Sequence, residues 1–251
     1  SSWTLTALPL FVWMGEILFR TKLSENLFKG LSPWMQKLPG GLIHVNVVGC
    51  ALFAAISGSS AATVATVGKM SIPELRKRGY PERILLGSLA GSGTLGLLIP
   101  PSIILIIYGV AVQESIAKLF IAGVIPGIMI ALIFMTYVIF WSLINKSEMP
   151  KINDELSLYE KIKRSKQLLP VILLILGVIG SIYTGIATAT EAASLGVVGA
   201  LILSYFQKSL TYKTFKSSLL GATKTSCMIA FILAGSTFLS LAMGFTGLPR
   251  N

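Results

Sequence analysis

The chain reads Ile56-Ser57-Gly58-Ser59-Ser60-Ala61-Ala62-Thr63-Val64-Ala65 in the middle of an apolar region, so a glycine and three serines interrupt what would otherwise be a membrane helix. The apolar residues after this interruption end near residue 70, and a helix over 61–70 is only about 15 Å long, half of a hydrocarbon core of about 30 Å. A segment that enters apolar surroundings, breaks at small polar residues and leaves after half a bilayer is a re-entrant hairpin. The sequence therefore predicts such a hairpin over 41–70, with its tip near the midplane. Non-helical backbone at that depth is tolerated only where protein buries it or where it lines a cavity, and secondary transporters place ion and substrate sites in such broken helices.

The composition indicates an all-α polytopic membrane protein. Of the 251 residues, 53% are hydrophobic and 12% are charged, and the mean hydropathy is +0.77, values that a soluble domain does not have. The apolar runs are long and do not alternate, which argues against a membrane β-barrel. The net charge of +11 would suggest nucleic acid in a soluble protein. In a membrane protein basic residues anchor the cytoplasmic loops, so we expect no nucleic-acid partner.

The distribution of basic residues predicts the orientation of the chain. If the hairpin is re-entrant and the other apolar segments cross the membrane, every Lys and Arg except Lys118 and Arg250 falls on one side. The positive-inside rule makes that side cytoplasmic, so the hairpin opens to the cytoplasm. Three cytoplasmic connectors, at 22–37, at 153–167 and after Thr211, have the pattern of interfacial amphipathic helices, although solvated loops would also fit. The apolar segments lie at 4–19, 41–57, 61–70, 84–109, 119–144, 168–183, 192–206 and 225–247.

A second interruption lies in the segment 84–109, which contains glycines followed by Pro100 and Pro101. Proline has no backbone N–H to donate to the residue four positions earlier, so the carbonyl groups of Gly96 and Leu97 lose their helical partners. The residue before a proline is disfavoured in the helical conformation, and we expect Ile99 and Pro100 to be extended. The sequence thus predicts a cluster of unpaired carbonyl oxygens inside the membrane.

These two interruptions supply the candidate site residues. Carbonyl and hydroxyl oxygens suit a hard cation such as Na⁺, and the predicted cation ligands are Ser57, Ser60, Gly96, Ile99 and Pro101. At the hairpin tip the first leg presents free carbonyls and the second leg presents free N–H groups, which favour a cation and an anion respectively. We expect an anionic substrate to contact Ser59, Ser60 and Thr94. Close helix packing would explain the same glycines and serines without any ligand.

Isolated polar residues carry less information. His44 is near the cytoplasmic end of the first hairpin leg, where hydrogen bonding at the interface explains it. Glu16 and Arg20 are one helical turn apart, which predicts a local ion pair. Glu191 between two short spans is either a functional intramembrane carboxylate or a first-turn residue of a helix with Thr190 as its N-cap.

Five motifs, in this order along nearly the whole chain, resemble the large membrane (M) subunit of tripartite ATP-independent periplasmic (TRAP) transporters. They are Pro9-Leu-Phe-Val-Trp-Met-Gly-Glu-Ile-Leu18, Leu38-Pro-Gly-Gly41, Ile56-Ser-Gly-Ser-Ser-Ala-Ala-Thr-Val-Ala65, Gly93-Thr-Leu-Gly-Leu-Leu-Ile-Pro-Pro-Ser102 and Thr190-Glu-Ala-Ala193.

The resemblance implies an elevator-type importer of the bacterial inner membrane, built from inverted repeats and driven by a Na⁺ gradient. Its implied partners are a small membrane (Q) subunit and a periplasmic substrate-binding (P) protein that delivers an organic acid, such as sialic acid or a C4-dicarboxylate. The region 1–40 would then be a scaffold helix with an interfacial helix, and 41–110 the first half of the transport domain, with the hairpin at 41–70 and the broken helix at 84–109. The region 111–167 would be a connecting helix with a cytoplasmic arm, and 168–251 the start of the second repeat.

The resemblance also implies further segments outside this chain. The family's first helix would precede Ser1, and its second hairpin and second broken helix would follow Asn251, so we expect this chain to hold half of the transport site and not to transport alone.

Two alternatives to a carrier remain open at the level of sequence. One is an intramembrane hydrolase with His44 as the base for Ser57, Ser59 or Ser60. His44 is 13 residues before Ser57, about 20 Å along a helix, whereas a Ser–His pair must touch. The other alternative is a cation channel.

Overall fold

The computed structural model describes residues 3–21, 23–150, 157–166 and 168–246, and all the regular elements in these ranges are helices. Short 3-10 helices lie at Trp3–Thr6, Thr94–Leu97 and Lys146–Glu148. The α-helices are α1 (Ala7–Phe19), α2 (Leu23–Met35), α3 (Ile43–Ser57), α4 (Ser60–Lys77), α5 (Glu82–Gly93), α6 (Ile103–Ala111), α7 (Ile116–Ile144), α8 (Leu158–Ser165), α9 (Leu169–Tyr183), α10 (Ala189–Phe206) and α11 (Tyr212–Thr246).

The length and hydropathy of the helices confirm a multi-span helical membrane protein. Among the described residues, α7, α10 and α11 are each long and apolar enough to cross a membrane. A fourth span results if α8 and α9, which meet at a 54° bend, are counted as one. The apolar helices α1 and α3 are shorter, with 13 and 15 residues. A helix of about 20 residues is needed to cross the hydrocarbon core, so α3 cannot cross it alone.

The hairpin predicted over 41–70 is present as a helix–turn–helix, but its second leg is longer than predicted. Helix α3 ends at Gly58, which has φ +57°, and α4 begins at Ser60 and continues for 18 residues to Lys77. At about 27 Å, α4 is not half a bilayer long, and the length argument for re-entrance is wrong. The reason is that apolar composition ends at Met70, whereas helical hydrogen bonding continues and an ion pair between Glu74 and Arg78 at 2.8 Å supports the last turns. Re-entrance itself stays a prediction.

The interruption of the segment 84–109 is confirmed. Helix α5 passes into the 3-10 helix Thr94–Leu97, irregular backbone follows over 98–102, and α6 begins at Ile103. One detail differs from the prediction, because the hydroxyl of Ser102 donates to the carbonyl oxygen of Leu97 at 2.8 Å. The Leu97 carbonyl is therefore not free.

The three predicted interfacial helices have different outcomes. Helix α2 is present, but it packs on the protein, with Leu27 and Leu31 buried. Part of the second, including Leu156, lies outside the described residues, and the remainder forms α8. The indole N–H of Trp34 on α2 donates to the Ser165 hydroxyl of α8 at 2.6 Å.

The third predicted connector is not a separate element. Residues after Thr211 and the predicted span 225–247 form one continuous helix, α11, of 35 residues. At about 52 Å this helix exceeds a hydrocarbon core of about 30 Å, so its polar first turns extend past the core. Arg250 and the rest of 247–251 lie outside the described residues.

The segments predicted to share one side meet at one end of the helices. Arg20, Lys69 and Lys213, from three distant parts of the chain, line the same cleft. At this end the backbone N–H of Leu42 donates to the hydroxyl of Tyr80 at 3.0 Å, which joins the first residues of the hairpin to the turn that follows its second leg. Burial raises the pKa of Tyr80, so its hydroxyl stays protonated at neutral pH. We call this the basic end.

Substituting Tyr80 by Phe tests how the open end of the hairpin is held. The change keeps the ring but leaves the fully buried Leu42 N–H without its partner, and such an orphaned donor costs about 1–3 kcal/mol. We expect a lower unfolding temperature for the purified full-length protein in detergent. The exposed Tyr137 is the matched control, and Tyr137→Phe is expected to leave the unfolding temperature unchanged. Equal effects of the two substitutions would contradict the role of the Tyr80 hydroxyl.

Candidate functional site

The hairpin tip is hydrogen-bonded to the broken helix on both sides of its interruption. The first amide of α6, at Ile103, donates to the carbonyl oxygen of Gly58 at 3.2 Å. On the other side, the hydroxyl of Ser60 donates to the carbonyl oxygen of Gly93, the last residue of α5, at 2.8 Å. Each irregular segment thereby satisfies backbone groups that the other exposes.

Glycines allow this contact, because the backbones approach closely. A Cβ on Gly96 would lie 2.9 Å from the amide nitrogen of Ser60 and 3.0–3.1 Å from the carbonyl group of Ser59. A Cβ on Gly58 would lie 2.6 Å from the carbonyl oxygen of Pro101. The structure therefore brings Gly96 to Ser59 and Ser60, and Pro101 to Gly58. Among the described contacts, Ile99 lies against Gly127 and Ser57 does not touch the interruption.

Five carbonyl groups of the interruption have no hydrogen-bond partner in the described part of the chain. They belong to Gly96, Leu98, Ile99, Pro100 and Pro101, and three of them, at Gly96, Ile99 and Pro101, are predicted cation ligands. Gly96 and Pro101 are buried, and Ile99 is half-buried. A buried carbonyl oxygen without a partner is costly, so such groups are expected to meet water or a cation.

The hydroxyl groups of the tip form a local network that the sequence analysis only partly identified. The Ser57 hydroxyl lies 2.9 Å from the Thr63 hydroxyl, which also donates to the carbonyl oxygen of Ser59 at 2.7 Å. The Ser59 hydroxyl accepts a hydrogen bond from the amide of Ala62 and caps α4. Thr63 is fully buried, and its spacing of four residues from Ser59 was the available signal for it.

A cavity of about 290 Å³ opens beside the tip, and we call it the tip cavity. Ser57 and Ser59 line it, while Ser60 and the residues of the interruption do not. Thr94 also lies elsewhere, exposed, with its hydroxyl donating to the carbonyl oxygen of Gly91 at 2.7 Å. The predicted substrate residues thus divide between two surfaces. The tip cavity is lined by Val12, Gly15, Glu16, Phe19, Ser57, Ser59, Ala61, Ala62, Ala65, Ile103 and Thr225.

Glu16 has one predicted contact and one that the sequence did not predict. Its carboxylate forms the predicted ion pair with Arg20, at 2.8 Å, which is confirmed. Glu16 also lines the tip cavity, together with Ser57 and Ser59. The packing of α1 against α3 and α11 creates this arrangement, and no local pattern in the sequence predicts such packing.

A buried polar cluster, also missed, joins α3 to α5. The fully buried Asn46 side-chain amide donates to the Leu85 carbonyl oxygen at 3.2 Å and to the Ser88 hydroxyl at 3.0 Å. The Ser92 hydroxyl donates to the Asn46 carbonyl oxygen at 3.4 Å. The first hairpin leg is thereby fixed to the first half of the broken helix.

His44 and Glu191 have structural roles. The Nε2 atom of His44 is 2.8 Å from the Pro39 carbonyl oxygen, which confirms local hydrogen bonding. Helix α3 is continuous from Ile43 to Ser57, so His44 is about 20 Å from the tip and cannot serve as its base. Glu191 does belong to an N-terminal cap, but the N-cap residue is Thr188 and not Thr190.

Comparison with known proteins identifies relatives of the whole chain. Residues 1–251 match the family model described as tripartite ATP-independent periplasmic transporter, DctM component. The C4-dicarboxylate TRAP transporter large permease protein DctM of Pseudomonas aeruginosa is 34% identical over 251 residues, which are 99% of this chain and 58% of the relative.

Two further relatives carry other substrate names. The sialic acid TRAP transporter permease protein SiaT of Haemophilus influenzae is 34% identical over 94% of this chain and 38% of its own length. The isethionate TRAP transporter permease protein DctMQ of Oleidesulfovibrio alaskensis is 32% identical over 100% of this chain and 39% of its own length. The chain thus spans between about two fifths and three fifths of the length of these relatives.

The substitution Gly96→Ala tests the close contact between the tip and the interruption. Its Cβ would meet backbone atoms of Ser59 and Ser60, which cannot rotate away as a side chain can, and overpacking of this kind costs about 1–3 kcal/mol. We expect a lower unfolding temperature for the purified full-length protein. The matched control is Gly87→Ala on α5, where a Cβ meets nothing within 4 Å. If both substitutions leave the unfolding temperature unchanged, the contact is not tight.

Proposed function

We propose that this chain, which belongs to the DctM component family of tripartite ATP-independent periplasmic transporters, takes part in the Na⁺-driven import of an organic acid across the bacterial inner membrane. The family consists of integral membrane permeases and not of enzymes, so the hydrolase alternative is dropped. In this proposal a periplasmic binding protein delivers the substrate and a small membrane (Q) subunit accompanies the large one.

One observation carries the proposal of a cation site. The carbonyl oxygens of Gly96, Ile99 and Pro101 lack hydrogen-bond partners within the described residues, and they belong to a segment in direct contact with the hairpin tip. Na⁺ is a hard cation that replaces its water shell with such oxygens. The proposed ligands are these three carbonyl groups with the hydroxyl groups of Ser57 and Ser60.

The partial charges at the ends of the two hairpin helices support binding of both a cation and an anionic substrate. The C-terminus of α3 at Ser57 has a partial negative charge that favours a cation, and the N-terminus of α4 at Ser60 has a partial positive charge that favours an anion. The proposed substrate contacts are Ser59, Ser60 and Thr94. Because Thr94 is exposed on a different surface from the tip cavity, it would meet substrate only if a further part of the protein completes the site there.

The names of three relatives support the proposed substrate class. The three relatives are named for C4-dicarboxylates, sialic acid and isethionate, all of which are anions at neutral pH. We therefore propose an organic acid of the C4-dicarboxylate or sialic acid class.

The pattern of hydrogen bonds supports an elevator motion in which α3 to α6 move together. The tip is hydrogen-bonded to the broken helix, and Asn46 bonds α3 to α5. Within the described ranges no side-chain hydrogen bond joins α1 to the hairpin, although a Cβ on Gly15 would lie only 2.9 Å from the Cα of Ser57. In this proposal α1, α10 and α11 form the fixed part, the hairpin opens to the cytoplasm, and the region from 168 begins an inverted repeat.

The test is uptake of a panel of radiolabelled organic acids into proteoliposomes that contain the full-length protein, its small subunit and its binding protein. We expect uptake that requires an inward Na⁺ gradient and the binding protein. Uptake that is indifferent to Na⁺ would contradict the cation site. Na⁺ flux without substrate would favour the channel alternative over a carrier.

The substitution Ser60→Ala tests the ligand assignment in the same proteoliposomes. It removes one proposed cation ligand and the hydrogen bond to Gly93. We expect the Na⁺ concentration for half-maximal uptake to rise about tenfold, equivalent to about 1.4 kcal/mol of binding free energy. Ser194→Ala on α10, whose hydroxyl donates to the Thr190 carbonyl oxygen of its own helix, is the control. An unchanged Na⁺ dependence in Ser60→Ala would remove Ser60 from the ligand set.

A further inference from the structure

A second and larger cavity, of about 650 Å³, lies at the basic end, and we call it the basic cleft. Three distant segments form it: the end of α1, the middle of α4, and the turn that leads into α11. It is lined by Phe19, Arg20, Thr21, Thr66, Lys69, Met70, Ser209, Lys213, Thr214 and Ser217. Neither the proposed cation ligands nor the proposed substrate contacts lie in it.

The lining of the basic cleft carries positive charge only. Arg20 is neutralised by its ion pair with Glu16, a residue that lines the tip cavity and not the basic cleft. Lys69 and Lys213 form no ion pair within the described residues, and no carboxylate lines the cleft. A cleft lined by charges of one sign focuses the field and raises the local concentration of the opposite ion.

The start of α11 adds to this field. The helix has 35 residues and begins at Tyr212, beside the lining residues Lys213 and Thr214. Within the described chain the backbone N–H groups of Tyr212 and Lys213 donate to no carbonyl or hydroxyl group, whereas that of Thr214 donates to the Thr211 hydroxyl. Free N–H groups at a helix N-terminus favour an anion.

The basic cleft is next to the tip cavity. Phe19 lines both cavities, and one helix, α4, passes along both. Its small residues Ala61, Ala62 and Ala65 face the tip cavity, and one turn later Thr66 and Lys69 face the basic cleft. From Ser59 to Lys69 the path along α4 is about 15 Å.

We propose that the basic cleft binds the anionic group of the substrate after it leaves the tip cavity, with Lys69 and Lys213 as the binding side chains. This inference rests on the proposed function and adds to it a second anion site on the release route. Both lysines are exposed, as anchoring lysines are, but these two line one concavity from separate elements, α4 of the hairpin and α11. The chemistry, a carboxylate or another oxyanion held by ammonium groups, would equally suit the phosphate of an anionic lipid, and the experiment separates the two sources.

The first measurement reports the field in the cleft without using transport. Ser217 lines the cleft, and the probe is the substitution Ser217→Cys in a full-length protein without other reactive cysteines. The rates of modification by an anionic and a cationic methanethiosulfonate reagent are compared. When Lys69→Gln and Lys213→Gln are added together, we expect the ratio of the anionic to the cationic rate to fall about tenfold.

The matched control for this measurement is the pair Lys216→Gln and Lys224→Gln, which removes the same charge from α11 residues outside the lining. We expect the control pair to change the ratio of rates much less than the cleft pair. An equal fall in both double variants, or no fall in either, would overturn the proposal.

The second measurement identifies the anion. Modification of the thiol in the Ser217→Cys variant is followed with succinate or sialic acid on the cytoplasmic side, in vesicles of phosphatidylcholine alone and in vesicles with phosphatidylglycerol. Protection by an organic acid in phosphatidylcholine vesicles, lost in Lys69→Gln/Lys213→Gln, supports the proposal. Protection by phosphatidylglycerol alone would make the cleft a lipid site and overturn the assignment to the release route.

The third measurement connects the cleft to uptake. We expect Lys69→Gln/Lys213→Gln to lower the maximal uptake rate several-fold with an unchanged Na⁺ concentration for half-maximal uptake, and the control to match the unsubstituted protein. Na⁺-driven uptake with an unchanged maximal rate in the double variant would refute this inference and leave the proposed function intact. A different pair of results would refute the proposed function and leave an anion-binding cleft. In that case no acid would show Na⁺-driven uptake, while Lys69→Gln/Lys213→Gln would still lower the ratio of the anionic to the cationic modification rate at Ser217→Cys.

Discussion

The rest of the structure depends on the mutual pairing of two irregular backbone segments. Inside a membrane no bulk water satisfies exposed N–H and C=O groups, so an interrupted helix must find partners within the protein. The carbonyl group of Gly58 accepts the first amide of α6, and the hydroxyl of Ser60 pairs with the last carbonyl group of α5. Gly58 and Gly96 are needed for this, because a Cβ at either position would meet backbone atoms of the other segment. The hairpin and the broken helix therefore form one folding unit, and neither irregular segment could lie in a membrane alone.

The two cavities differ in electrostatics, and the difference suits successive steps of transport. Around the hairpin tip, the proposed ligands are neutral oxygens and helix ends, and the Glu16 carboxylate in the lining of the tip cavity is already paired to Arg20. A neutral site can bind a cation and an anion together and need not hold either when the other is absent. The basic cleft carries full charges, but it lies farther from the proposed ligands, and its two lysines are exposed to solvent, which screens their charges. Weak binding at the cleft would let the substrate dissociate readily, while the Na⁺ gradient of the proposed function would set the direction of transport.

The sequence predicted the features that neighbouring residues determine and missed those that depend on contacts between distant segments. The interruption near Pro100 and Pro101 follows from the missing N–H of proline, and the turn at Gly58 follows from a glycine between short apolar runs; both were predicted. The end of α4 was placed too early and α11 was divided, because apolar composition ends where the membrane ends, whereas helical hydrogen bonding continues into polar residues such as those of 212–224. Tyr80 and Asn46 acquire their roles from contacts with groups that distant helices or turns bring to them. The sequence carries no local signal of those contacts.

The hairpin is hydrogen-bonded to the broken helix but only packed against α1, and this difference bears most directly on the transport mechanism. Towards the broken helix the hairpin is hydrogen-bonded at Gly58, Ser60 and Asn46. Towards α1 the described contacts are packing alone, with Gly15 against the backbone of Ser57, while α1 itself is bonded to α11 through the Trp13 indole and the Ser218 hydroxyl at 3.3 Å. Packing between small residues can be exchanged for similar packing one turn away, whereas a buried hydrogen bond cannot be broken without cost. If the unit of α3 to α6 moves, it should therefore slide along α1, and the tip cavity and the basic cleft, which both have walls from α1, α4 and α11, would change shape together.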